Sequence, residues 1–352
     1  MDSAIIIEKG IFILAIFAVT MFMAMYSTLA ERKIAAWLQD RIGPNRAGKG
    51  GILQPLADGL KLFAKEEFMP STQNTFLFVL GPAISMSMAL MTSAVIPWGD
   101  KLEIGGRTVI LQATDIDVAM LYIFAVLSVG VYGIMIGGWA SNNKFSLMSA
   151  MRASSQMISY EVAMGLAIIA LIMATGTLSV REIAAQQSGF WNDGWFTWNV
   201  FKHPVSFLIF LVCSFAETNR TPFDLAECEA ELIGGHHTEY SSMKMGFYLF
   251  GEYAAMFISS AILAILYFGA YNYPGFQWAV ENWGVNVANI LGIIALFTKI
   301  CFFIFFYMWI RWTIPRFRYD QLMNLGWKML IPLAIANIII TALVILLTDK
   351  IL

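Results

Sequence analysis

The chain has 352 residues, 59% of them hydrophobic and only 13% charged, with a mean hydropathy of +0.68. A soluble domain carries roughly 25% charged residues, so a soluble fold of this size would lack the polar surface to stay dispersed. The net charge of −2 leaves no basic footprint for nucleic acid. The three cysteines, Cys213, Cys228 and Cys301, lie far apart with no CxxC pair, which excludes a cysteine-ligated cluster or zinc site.

A helix needs roughly 20 apolar residues to cross the hydrocarbon core. Eight stretches approach that, at about 10–29, 76–97, 117–140, 161–178, 200–217, 243–268, 286–310 and 329–348. The first could pass for a signal peptide. It is too long for one, and Ala30-Glu31-Arg32-Lys33 is a poor cleavage site, so the reading is a retained helix with no soluble domain on either side. The expected fold is all-α: one integral membrane domain over 1–352 with about eight transmembrane helices. Structured cytoplasmic loops are expected near 31–75, 141–160, 217–242 and 311–328. Fifteen Lys and Arg residues fall in the odd-numbered loops, six fall on the other side, and Lys299 lies inside the seventh helix. That bias puts the odd-numbered loops in the cytoplasm and both termini outside.

The first loop holds turn signals at Gly43-Pro44-Asn45 and at Gly48, Gly50 and Gly51. Gly43 to Lys49 matches the spacing GxxxxGK. The next residue is Gly50 rather than a hydroxyl, and a helical pattern precedes it where a P-loop needs a strand, so nucleotide binding is rejected. Over 52–65, Leu53, Leu56, Leu60 and Phe63 recur at helical spacing opposite Asp58, Lys61 and Lys65. This predicts an amphipathic helix at the membrane surface.

The stretch 217–239, ETNRTPFDLAECEAELIGGHHTE, is the most informative. It holds six of the chain's 24 acids: Glu217, Asp224, Glu227, Glu229, Glu231 and Glu239. Pro222 stops the fifth helix. Asp224 can cap a short helix with Glu227 in the capping-box position, closed by Gly234-Gly235. Acids in a first turn also favour the helix dipole, which accounts for Asp224 and Glu227 but not Glu231. Clustered carboxylates shielded from water can hold and pass protons near neutral pH. Glu161 and Glu252 add acids within the fourth and sixth helices, where a charge at the bilayer centre costs on the order of 3 kcal/mol and normally faces a cavity. An ion pair between Glu252 and Lys299 is within reach, and would serve structure or proton relay equally well.

The loops WASNNKFSLMSAMRASSQMISYE and RWTIPRFRYDQLMNLGWK complete a cytoplasmic face too elaborate for plain connectors. Taken singly, they are headgroup contacts and a proline-stiffened turn.

In this order and spacing, these motifs resemble the H-type membrane subunit of respiratory complex I, the proton-pumping NADH:quinone oxidoreductase. The likeness rests on ERK followed by QDRIGPNRAGKGGILQPLADGLKLFAKE, on GWASNNKFSLMSAMRASSQMISYE and on AETNRTPFDLAECEAELIGGHHTEYSSMK. Gly251-Glu252-Tyr253 and RWTIPRFRYDQLMNLGWK complete it, so nearly the whole chain is covered. The resemblance implies a quinone-access tunnel and a carboxylate relay that couples quinone reduction to proton translocation. By position, Arg32, Arg41, Arg46, Asp58, Lys61 and Phe223 would line the tunnel and its mouth. Glu161, Glu217, Asp224, Glu227, Glu229, Glu231 and Glu252 would form the relay. It further implies no cofactor bound by this chain, quinone as substrate, and FMN and iron–sulfur clusters in partner subunits. Those partners are iron–sulfur quinone-module subunits on the cytoplasmic side and small and antiporter-like membrane subunits, together with membrane lipids; the cysteine-poor, uncleaved form of the chain fits a bacterial inner membrane.

The chain departs from the family where it has Ala226-Glu227-Cys228, His236 in place of an aromatic, and Phe317 in place of a second proline. It also lacks a carboxylate in the third helix, which shifts the relay there toward Ser128, Tyr132 or water. The alternatives are the related membrane subunit of a hydrogenase or formate-oxidising complex, a stand-alone proton or cation transporter, and a plain scaffold. No repeat supports the transporter, and a scaffold leaves the buried acids unexplained.

Overall fold

The computed structural model describes residues 3–104, 107–188, 197–225 and 232–348. Glu227, Glu229 and Glu231, and the short helix expected around them, lie outside the described residues.

In chain order the helices are α1 (Ser3–Leu38), α2 (Gln54–Ala64), α3 (Thr75–Ser93), α4 (Ala119–Ala140), α5 (Lys144–Thr175), α6 (Val180–Ala185) and α7 (Asn199–Lys202). There follow α8 (Pro204–Glu217), α9 (Ser242–Tyr267), α10 (Phe276–Trp283), α11 (Val285–Thr313), α12 (Tyr319–Asn324) and α13 (Ile331–Thr348). An antiparallel hairpin, β1 (Lys101–Ile104) and β2 (Arg107–Ile110), pairs Lys101 with Ile110 between α3 and α4. The all-α polytopic membrane fold is thus present, with seven helices among the described residues long and apolar enough to span. The fifth expected span, 200–217, is interrupted at Pro204, which has no N–H to continue a helix; this leaves α7 and the 14-residue α8.

Two boundaries differ from expectation. α1 runs on to Leu38 rather than stopping at 29. Ile34-Ala35-Ala36-Trp37-Leu38 contains good helix formers, so the charges at 31–33 ride on the helix instead of ending it. The segment 141–160, expected as a loop, is helical from Lys144 onward. Asn143 caps it by accepting from the Phe145 N–H at 2.9 Å. Its 32 residues span about 48 Å, more than the roughly 30 Å core, so one end projects beyond the hydrocarbon. Its buried face there is small and polar: Ser146, Ser149, Ala150, Ala153, Ser154 and Met157 at helical spacing. That composition reads as a loop, although the period is that of a helix.

α9 is the most enclosed of the seven, packed by α1, α3 and α11, while α1 and α13 are the least enclosed. α5 packs against α4, α8 and α13. α3 and α4 approach through glycine: a Cβ on Gly81 would lie 2.9 Å from the Gly137 Cα and 3.0 Å from the Gly133 carbonyl. Small residues let helix backbones come this close in a membrane, where packing rather than water drives association. Large apolar side chains such as Leu14, Phe302 and Ile339 are exposed on α1, α11 and α13.

Candidate functional site

The predicted amphipathic helix is α2, and its polarity is inverted relative to a soluble helix. Leu56, Leu60 and Phe63 are exposed, while Asp58 is half-buried and, with the exposed Lys61, lines a cavity. An interfacial helix does this because its apolar face enters the acyl chains. Asp58 is held by Arg32 at 2.7 Å and by the Gln54 amide at 2.9 Å. Between α1, α2 and α9 lies a cavity of 420 Å³, lined by Arg32, Asp58, Lys61, Met25, Leu62, Phe250 and Tyr253 among others. That volume falls in the range of ligand pockets. Three of the expected quinone-site residues, Arg32, Asp58 and Lys61, therefore converge. Arg41 and Arg46 are exposed in the loop after α1, where Arg41 donates to the Gln39 side chain at 2.8 Å. Phe223 is buried between Tyr160 and Phe317, at ring-centroid distances of 5.3 and 5.6 Å, and does not line this cavity.

Tyr253 links the cavity to a buried ionic node. Its hydroxyl donates to Glu31 at 2.9 Å. The same oxygen of Glu31 accepts from Arg220 at 2.9 Å, and its other oxygen pairs with Arg311 at 2.5 Å. Arg220 also lies over the Tyr253 ring at 4.2 Å. Glu31 and Arg220 are only 6% and 4% exposed, so neither charge is screened by bulk water. Burial alone would disfavour the Arg220 charge, but Glu31, Tyr253 and Glu252 outweigh it and hold the guanidinium above its ordinary range. The sequence does not point to this node, because the apolar run ends at Leu29 and Glu31 lies just beyond it. Its signal was an acid, Glu31, followed by a run of helix formers.

Beyond the node lies a second cavity of 80 Å³, lined by Glu252, Glu217, Tyr248, His236 and Ser85 among others. A smaller one of 20 Å³, also lined by Glu217, continues along α4 and α9 past Leu127 and Ser259. Measured as room for the centre of a water molecule, a cavity holds one from about 10–15 Å³ upward, so both have space for at least one. Glu161 accepts a hydrogen bond from Ser128 of α4 and interacts electrostatically with Glu217. Ser128 thus contacts one of the expected relay carboxylates, whereas Tyr132 is 56% exposed.

The remaining expected residues have other partners. Asp224 is buried and ion-paired with Arg316 at 3.0 Å. The loop that carries it is pinned by Gln156 of α5, whose amide donates to the carbonyls of Ala216 and Phe223 at 3.0 Å each. The Glu252–Lys299 pair does not form. Lys299 donates instead to the carbonyls of Phe268, Ala270 and Asn272 at 2.7, 2.7 and 2.6 Å, and lies over the Trp198 ring. These carbonyls follow the C-terminal end of α9, where the last turn leaves acceptors open and favours a cation. Glu252 lies 15 residues before Tyr267, or about 22 Å along the helix. Lys299→Met is expected to cost about 1.5–3 kcal/mol of stability, the range for hydrogen bonds to a charged group, with turnover per assembled complex retained. Thermal melting and activity of the purified complex check this; normal melting with lost turnover would return Lys299 to the relay.

The fold and its charged interior define a class: a polytopic membrane protein in which a side cavity is joined through buried ion pairs to carboxylates within the helices. The comparisons narrow this further. A model of the family described as NADH dehydrogenase matches residues 11–342. The H-type subunit of the NADH-quinone oxidoreductase of Flavobacterium psychrophilum is 77% identical over 347 residues, covering 99% of each chain. Its counterpart in Flavobacterium johnsoniae is 73% identical over 349 residues, covering 99% of this chain and 98% of the relative. NADH-quinone oxidoreductase subunit 8 of Rhodothermus marinus is 46% identical over 320 residues, covering 89% of this chain and 90% of the relative. The chain belongs to the NADH dehydrogenase family, as a membrane subunit of the H type.

Proposed function

We propose that this chain admits quinone to a proton-pumping NADH:quinone oxidoreductase through the cavity between α1, α2 and α9, and couples quinone reduction to proton translocation through its interior carboxylates. The single observation that carries this reading is continuity. Tyr253 lines the 420 Å³ cavity and binds Glu31; Glu31 binds Arg220; Arg220 feels Glu252; and Glu252 shares a cavity with Glu217, which interacts with Glu161.

The apolar wall of Met25, Leu62 and Phe250 suits an isoprenoid tail. Quinone takes two electrons and two protons to become quinol. In this reading the electrons come from FMN and iron–sulfur clusters of partner subunits. Charge that develops in a low-dielectric cavity acts strongly over a few ångströms. The Tyr253–Glu31–Arg220 contacts stand within that range, so a change of charge at quinone alters the field at Glu252. Glu227, Glu229 and Glu231 extend the relay in this reading, and Asp224 anchors their segment through Arg316. The partners are the iron–sulfur quinone-module subunits on the cytoplasmic side and the small and antiporter-like membrane subunits. The membrane is the bacterial inner membrane, with both termini outward.

The test is photolabelling of the intact complex with a quinone that carries an azide on its tail, followed by mapping of the labelled peptides. Label on the segments that hold Met25, Leu62 or Phe250 is expected. Label competed by quinone yet confined to other faces of this chain, or to partner subunits, would overturn the assignment of the cavity.

A further inference from the structure

We infer that the apolar slot between α1, α11 and the base of the β1–β2 hairpin holds one acyl chain of an anionic phospholipid, with Lys9 at its rim taking the phosphate. The inference stands apart from the quinone and relay readings.

The slot has a volume of 170 Å³, and every side chain that lines it is apolar. Phe12, Ile16 and Val19 of α1 form one wall, and Ile293 and Phe297 of α11 form the other. Trp98 lines it as well. Its ring stacks on Phe257 and Phe297 at centroid distances of 5.5 and 5.9 Å, and its indole N–H donates to the Ser93 carbonyl at 3.1 Å. The one polar atom of that ring is therefore spent inside the fold. A buried water typically makes about three hydrogen bonds to polar groups, so a slot of this lining stays dry. Left empty, it would forfeit dispersion contacts along its walls, and a hydrocarbon chain supplies them. Ala15 and Val19 line the slot and are exposed, so it opens sideways and a chain can enter.

Lys9 marks the rim. Its ammonium donates to the carbonyls of Gln112 and Ile110 at 2.6 and 3.4 Å, the two residues that flank the slot-lining Leu111. An ammonium has three N–H donors, so one remains. No carboxylate among the described residues pairs with Lys9. Asp100, whose carbonyl accepts from the Leu111 N–H, is paired with Arg181 at 3.0 Å, and Glu8 projects about 100° around the helix from Lys9. A phosphate oxygen would complete both the hydrogen bonding and the charge. Lys9 precedes Val19 by about 15 Å along the helix. That is half of the roughly 30 Å hydrocarbon core, the depth of one leaflet, so the head and chain of a single phospholipid match the spacing.

The quinone tail is a poorer occupant. At about 100° per residue, Phe12, Ala15, Ile16 and Val19 share one face of α1. Met25, Thr28 and Arg32, which line the 420 Å³ cavity, lie on the opposite face. The body of α1 separates the two spaces.

The test places the intact complex in phosphatidylcholine vesicles that carry a phosphatidylglycerol with a diazirine in its acyl chain. Photolysis and peptide mapping follow. Label is expected to concentrate on segments 12–19 and 293–297 relative to the rest of this chain. The same diazirine on phosphatidylcholine should label them about fivefold less, the factor expected for the attraction of one lysine to anionic lipid. Lys9→Gln should abolish this headgroup preference. Ala15→Phe, which puts a ring into the slot, should remove the concentrated label. Label no denser here than on other exposed faces, or equal with either headgroup, would overturn the inference and leave an ordinary lipid-facing surface. Labelling of these segments by the tail-azide quinone, undiminished by added phosphatidylglycerol, would overturn the choice of occupant. If Ala15→Phe fails to assemble, Lys9→Gln decides alone: loss of the headgroup preference supports the site, and its persistence overturns it.

Discussion

Replacing Glu31 by Gln is expected to destabilise the protein by about 3–5 kcal/mol, the cost of removing one partner from a buried ion pair. Among the described residues, Glu31 is the only carboxylate in direct contact with both Arg220 and Arg311. Arg220 is almost fully buried, so without Glu31 its charge has neither that counter-ion nor bulk water. Gln keeps the size of the side chain, but its amide N–H groups then face guanidinium donors and Tyr253 loses its charged acceptor. The complex should melt at a lower temperature and assemble in lower yield. The double variant Glu31→Gln with Arg220→Met should be less destabilised than the sum of the two single changes, because it removes both charges together. Simple additivity would mean that the two residues do not act as a pair.

The second large effect falls on function. Glu217→Gln should reduce NADH:quinone turnover about tenfold or more while leaving NADH oxidation by an artificial acceptor intact. Glu217 lines the 80 and 20 Å³ cavities and interacts with Glu161, so in the proposed relay a proton passing between Glu252 and Glu161 meets it. Gln matches its shape but cannot exchange a proton, and removal of a positioned acid or base typically costs about 10²–10⁴-fold in the step it serves. Equal loss of both activities would indicate failed assembly and no role in coupling. Glu161→Gln should act in the same direction. Asp224→Asn should act chiefly through the loop, because Asp224 is committed to Arg316.

Much of this arrangement was legible in the sequence. Hydropathy located the spans, and the amphipathic period of 52–65 located α2 to within two residues. Glu161 and Glu252 stand out because charge is costly inside a membrane, and Glu217 stands out as a member of the acid cluster at 217–239. Three features were not legible, for different physical reasons. α1 carries Glu31 past its apolar run, so a hydropathy boundary hid the most important ion pair. The first half of α5 buries serine and alanine rather than large apolar groups, so its helical face has no hydrophobic signal. Lys299 matched Glu252 by depth along antiparallel helices, but depth is a one-dimensional measure, and the open carbonyls after α9 were the better partner. The convergence of Arg32, Asp58 and Lys61 on one cavity also needed the third dimension, since 26 residues separate Arg32 from Asp58.

The central claim is that quinone chemistry in the cavity changes the protonation of carboxylates inside the helices. Infrared difference spectroscopy of the intact complex, comparing quinone-loaded and quinol-loaded states, measures this directly through the carboxylic C=O stretch. A difference band in that region is predicted for the unsubstituted complex, with its main component absent in Glu217→Gln and altered in Glu161→Gln. An identical band in all three, or no carboxylic band on quinone reduction, would contradict the account.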